Sequence, residues 1–188
     1  LSRGLGDVYK RQVLDLALER LNTVIGTRSF GDDPRSVTKL AGAFARGLQD
    51  GGIVATFKHF PGHGSTEVDS HLDLPAIDAP EALLRSRDLL PFAKLLPGAQ
   101  AVMTAHIVAR AFDPNDPATL SSRILTGLLR EELGFSGVCF TDCLQMDAIA
   151  KQAGSERAAV RALAAGADCV LVSHDLELAR RSVEAIER

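Results

Sequence analysis

Residues 53–75 read IVATFKHFPGHGSTEVDSHLDLP. An apolar, β-branched run stops abruptly at Lys58 and His59, and a loop rich in glycine, proline and histidine follows. The same pattern recurs along the chain. Short apolar runs at 13–16, 53–57, 101–104, 138–141 and 169–172 begin 40, 48, 37 and 31 residues apart, the length of a strand, a loop, a helix and a return loop. That rhythm predicts parallel strands joined by helices.

The intervening segments carry helix punctuation. Asp33 and Pro34 supply an N-cap and a first-turn proline, apolar residues recur at Val37, Leu40, Phe44 and Leu48, and Gly51-Gly52 closes the period. Ser121 or Ser122 opens a second helix through Leu125, Leu128, Leu129 and Leu133, stopping at Gly134. Ser155 opens a third through Val160 and Leu163, stopping at Gly166. Each helix has one apolar stripe to lay on a sheet.

Repeated strand-helix units leave two α/β architectures, a doubly wound sheet and an eightfold barrel. The residues at the strand ends choose between them: Asp15, Lys58-His59, His106, Asp142 and Ser173-His174. A barrel gathers reactive side chains at the C-terminal end of every strand, whereas a doubly wound sheet concentrates them at one switch point. The expected fold class is therefore α/β, a partial TIM (β/α)8 barrel. A complete barrel takes about 250 residues and eight units, so the five units here correspond to about the last five of eight. No G-x-G-x-x-G opens a helix and no G-x-x-x-x-G-K-[ST] occurs, so neither a dinucleotide nor a P-loop site is expected.

Composition bounds the rest. At 188 residues, with 46% hydrophobic and 24% charged residues, the chain is ordinary for one globular domain. A net charge of -3 offers no field for nucleic acid or an acidic membrane surface. Lys94, Gln100 and His106 interrupt the most apolar region well short of the ~20 residues of a membrane span. Three cysteines, two of them inside apolar runs, suggest buried thiols and lean toward a cytoplasmic location. Residues 1–12, LSRGLGDVYKRQ, lack an apolar period and resemble translated adaptor sequence, so the domain is taken as 13–188.

Three chemistries compete in the 58–75 loop. His59, His63 and His71 could be metal ligands, but their spacing is not H-E-x-x-H and places no two on one helix face, so no metal is expected. Asp69 and His71 alternate on one side of an extended segment, where the carboxylate can accept from the imidazole and hold it for proton transfer. A plain loop-stabilising hydrogen bond is the alternative. Beyond the loop, Asp142 follows an apolar strand directly, placed to attack or stabilise a developing cation, or simply to cap the next turn. Asp147 reads as a helix-start residue.

KHFPGHG followed by DSH, with VIGTRSFGDDP at 24–34 and GFSGVCFTDCLQMDAIA at 134–150, resembles the glycoside hydrolase family 3 β-N-acetylhexosaminidases of the NagZ type. The resemblance covers nearly all of residues 13–188. It implies a retaining hydrolysis of terminal N-acetylglucosamine, with Asp142 as nucleophile and His71, oriented by Asp69, as the acid and base. It also implies that Arg28, Lys58 and His59 bind the sugar, that no cofactor is needed, and that the partner is a small carbohydrate from muropeptides or chitooligosaccharides. By the residues alone, Arg28 could instead pair with Asp32 or Asp33, and His59 could be a buried loop histidine. Two features depart from the family pattern. Cys143 stands where many members have a second aspartate, and the D-x-E-G-G-R segment that precedes VLDL in the family is not present. A phosphorylase, a plain β-glucosidase and a catalytically inactive barrel fragment are the competing readings.

Overall fold

The computed structural model describes residues 12–19, 25–66 and 74–188. In chain order its strands are β1 (Gln12–Val13), β2 (Thr56–Phe60), β3 (Ala76–Ile77), β4 (Ala101–Thr104), β5 (Val108–Ala109), β6 (Val138–Cys143) and β7 (Cys169–Leu171). Five of them form one sheet in the order β1-β2-β4-β6-β7, every pair parallel, while β3 and β5 make a small parallel pair apart from it. Spatial order follows chain order without reversal. A doubly wound sheet would reverse at its switch point, so that alternative is excluded.

Among the described residues, besides three short 3-10 turns, the helices that connect or flank the strands are α1 (Pro34–Asp50), α2 (Glu81–Ser86), α3 (Leu90–Leu95), α4 (Arg123–Glu132), α5 (Asp147–Ala153), α6 (Ser155–Ala165) and α7 (Leu176–Ile186). The expected punctuation holds at the first. Asp33 accepts from the Ser36 amide at 2.8 Å, Pro34 opens α1, and Gly52 turns out of it with φ of +76°. At α4 the capping side chain is Ser121, whose hydroxyl accepts from the Ile124 amide at 3.2 Å. This helix is wound more widely than an α-helix, with hydrogen bonds reaching five residues back, as from the Leu133 amide to the Leu128 carbonyl. Asp147 does start α5.

The buried stripes are narrower and smaller than expected. Along α1 the buried residues are Val37, Ala41, Gly42 and Ala45, while Leu40 and Phe44 stay 48% and 43% exposed. Along α6 the buried face is Ala158, Ala159, Ala162 and Ala165, and Val160 points outward. Small residues let these helix backbones lie close to their neighbours, and the bulk of the core comes from Phe57, Phe60, Phe92, Leu96, Ile124, Leu125 and Leu129. Phe60 and Phe92 meet edge to face at 5.4 Å, a favoured aromatic geometry.

Strand boundaries also shift. The run expected at 53–57 pairs at 56–60, because its ladder is set by Thr56 against Ala101 and Gln12 against Phe57 and not by its own apolar residues. Lys58 and His59 therefore lie within β2, at its middle and just beyond, and Asp142 lies next to last in β6.

Candidate active site at the C-terminal edge of the sheet

Because all five strands run the same way, their C-terminal ends share one edge. Buried polar residues collect there: Asp15, Lys58, His59, Thr104, His106 and Thr141. Such groups are tolerated in a core only when their hydrogen bonds are satisfied. No buried side-chain nitrogen or oxygen among the described residues lacks a partner.

Asp142 stands at this edge with its side chain 26% exposed, its Oδ2 3.8 Å from His59 Nε2. Burial alone would raise its carboxyl, but His59, His106, the Cys143 amide and Lys58 outweigh that and hold it below the ordinary aspartate value. An ionised carboxylate results, partly open to solvent, with a cavity of about 250 Å³ beside it lined by Cys143, Gln145, Met146, Asp147 and His174. The alternative reading of Asp142 as a turn cap is partly met, since its Oδ1 accepts from the Cys143 amide at 2.8 Å. That bond orients the carboxylate and leaves Oδ2 toward His59.

His59 is almost wholly buried, and its Nδ1 lies 2.6 Å from Asp15 Oδ2. Asp15 also accepts from the His59 amide and from the His63 amide, the latter at 2.6 Å. Burial would raise this carboxyl too. His59, by charge and hydrogen bond, and His63 more than compensate and keep it low. His63 is different: burial pushes its imidazole down to about 4, and its Nδ1 sits 2.8 Å from the Thr66 hydroxyl.

Another histidine, His106, backs the strand that carries Asp142. His106 Nδ1 lies 2.7 Å from the Thr119 hydroxyl, itself 2.7 Å from that of Thr104, and His106 Nε2 donates to the Cys143 carbonyl at 3.0 Å. This holds the backbone that follows Asp142. On the far side, Gln145 Oε1 accepts from the Ser173 and His174 amides at 2.9 and 2.7 Å, tying the loop after β7 to the cavity wall.

Among the expected site residues, Lys58, His59 and Asp142 come together at this edge. Lys58 is buried and contributes to holding Asp142 ionised. Arg28 lies on a short helical turn, Gly26–Arg28, and is exposed. That turn is anchored near the site by Ser29, whose hydroxyl donates to the Asp15 carbonyl at 2.7 Å. Asp69 and His71 lie outside the described residues. Of the three histidines weighed as ligands, His59 Nδ1 contacts Asp15 and His63 Nδ1 contacts Thr66, while His71 lies outside the described residues. Asp15, His106 and Gln145 had no role assigned from sequence. Asp15 and His106 were marked only by ending apolar strands, and Gln145 by nothing.

A parallel α/β sheet with an ionised aspartate and a carboxylate-held histidine at its C-terminal edge is the arrangement of an α/β-barrel enzyme domain. The pattern of the glycosyl hydrolase family 3 N-terminal domain matches residues 12–187, and this chain belongs to that family. It is 44% identical over 183 residues to a β-hexosaminidase of Pseudomonas aeruginosa, covering 97% of this chain and 54% of that protein. Among solved structures it resembles a family 3 β-N-acetylglucosaminidase from a Paenibacillus species, with a TM-score of 0.91, 46% identity, and coverage of 93% of this chain and 34% of the other. It also resembles NagZ from Neisseria gonorrhoeae in complex with N-trifluoroacetyl-D-glucosamine, with a TM-score of 0.79, 40% identity, and coverage of 93% and 49%. The chain spans about half the length of the curated relatives it matches.

Proposed function

We propose that this chain carries the catalytic portion of a β-N-acetylhexosaminidase releasing terminal non-reducing N-acetylglucosamine from muropeptides or chitooligosaccharides. The carrying observation is Asp142, held ionised and partly exposed beside His59 at the C-terminal edge of the sheet. In this reading the Asp142 carboxylate attacks the anomeric carbon and the glycosidic bond breaks, giving a covalent glycosyl-enzyme. His71, oriented by Asp69, gives a proton to the leaving oxygen and then takes one from the water that hydrolyses the intermediate. Lys58, His59 and Arg28 hold the sugar hydroxyls. Residues 13–188 form about the last five of eight barrel units, Gln12 joins them through β1 and does not stand apart as expected, and the location is cytoplasmic. The chemistry calls for no cofactor or metal.

The test is chromophore release from an aryl N-acetyl-β-glucosaminide by this chain, beside Asp142→Asn. Turnover should fall by about three orders of magnitude or more in the variant. Activity retained in Asp142→Asn removes the nucleophile assignment, and no activity in the parent marks an inactive fragment. Faster release of N-acetylglucosamine 1-phosphate than of free sugar in phosphate buffer turns the reading to a phosphorylase.

A further inference from the structure

Asp15 is a buried carboxyl at this edge that the proposed chemistry leaves unused. It is 1% exposed, and its contacts with two amides and one ring nitrogen all come from β2 and the loop after it. Oδ1 accepts from the His63 amide at 2.6 Å, Oδ2 contacts His59 Nδ1 at 2.6 Å, and the His59 amide lies between them at 3.2 and 3.1 Å. The two backbone amides donate to it, and together with the His59 ring they hold the carboxyl below the ordinary aspartate value, so Asp15 is a carboxylate with no hydrogen to give.

Since that carboxylate cannot donate, the hydrogen in the Asp15–His59 contact belongs to Nδ1. The opposite ring nitrogen, Nε2, then faces Asp142 Oδ2 across 3.8 Å, a separation too long for a direct hydrogen bond. The ring is pinned at one nitrogen and at its own backbone amide, so it has no freedom to turn Nε2 elsewhere.

We propose that Asp15 is a positioning residue for the hydrolysis, fixing the proton of His59 on Nδ1 and aiming Nε2 at the place beside Asp142 where a sugar hydroxyl binds. The assignment rests on the reading of this edge as a sugar site. Asp15 touches neither substrate nor reacting atoms, and acts through His59 alone. The arrangement parallels the carboxylate that orients a metal-bound histidine through its second nitrogen, with a sugar hydroxyl in place of the metal.

Two measurements separate this proposal from the functional reading. In the unmodified chain, nitrogen-15 chemical shifts of the His59 ring should show hydrogen on Nδ1, and titration with N-acetylglucosamine should move Nε2. A His59 ring carrying hydrogen only on Nε2 overturns the proposal without any variant and whatever the activity. In Asp15→Asn, kcat/KM on the aryl glucosaminide should fall about 100-fold, with KM rising about tenfold because a contact made in the bound state is misaimed. A merely structural loss would lower the active fraction and leave KM unchanged, and that result also overturns the proposal. If Asp15→Asn does not fold, the ring measurement decides. If the unmodified chain turns over no substrate and binds no sugar, the functional reading fails, while the ring measurement still decides whether Asp15 sets the proton.

Discussion

Three imidazoles lie buried within a few residues of the sheet's C-terminal edge, and their partners divide the work among them. His59 meets a carboxylate on each side, His106 ties a hydroxyl to a backbone carbonyl, and His63 faces one threonine hydroxyl. His63 consequently has a folded value of about 4 against an ordinary 6.5, burial being the main cause. The unfolded chain therefore binds more protons between these values, so the stability contributed by neutral His63 is complete above about pH 6.5 and is lost as the pH falls toward 4. Between pH 7 and pH 5 the loss is about 2 kcal/mol. Asp15 and Asp142 are depressed as well, and their contribution fades in the same direction, but only below the ordinary aspartate value of 3.8. Urea midpoints at pH 7 and pH 5 check this. His63→Gln should remove most of the difference, and an equal difference in the variant would assign it to other groups.

At the scale of elements, the loop after β2 is pressed onto the end of β1. A Cβ on Gly64 would collide with the Leu16 carbonyl oxygen and lie 2.7 Å from the Leu16 amide nitrogen, both backbone atoms that cannot swing aside. Gly64→Ala should cost about 2–4 kcal/mol and lower Tm by several degrees. Gly47, on the exposed side of α1, has nothing within 4 Å of an added Cβ. Gly47→Ala should stabilise by up to about 1 kcal/mol through helix propensity. Calorimetric melting that shows both variants moving the same way would refute this account of the loop. Sequence made α1 legible because its ends are written locally, in Asp33, Pro34 and the paired glycines. It did not reveal α2 and α3. These are six residues each and lack side-chain caps, and they are held instead by buried Leu84, Phe92 and Leu96. The site divides similarly. The placement of Asp142, Lys58 and His59 at one edge was legible because charged or titratable side chains closing an apolar strand are chemically conspicuous. The role of Asp15 was not, since its donors arrive from amides 44 and 48 residues away.

At the scale of the whole molecule, β1 and β7 are the outer strands of the five-stranded sheet. Among the described residues β1 pairs only with β2 and β7 only with β6, so each has one edge with no described strand partner. Apolar surface accompanies the β7 end. Leu176, Val183 and Ile186 recur at helical spacing on one side of α7 and are 83%, 54% and 37% exposed. Burying these three on two copies would gain roughly 7 kcal/mol, against an association cost of about 4–15 kcal/mol, so the helix face supports only weak pairing. Strand edges add directional hydrogen bonds to that pairing and are the feature that turns weak association into aggregation. The chain should therefore be monomeric when dilute and gain mass as concentration rises, as read by sedimentation velocity. Replacing Leu176 and Val183 with lysine on the exposed side of α7 should restore the monomer at high concentration with Tm unchanged. Association that survives both substitutions would locate the contact at the β1 or β7 edge, and a monomer at every concentration would show that neither surface is adhesive.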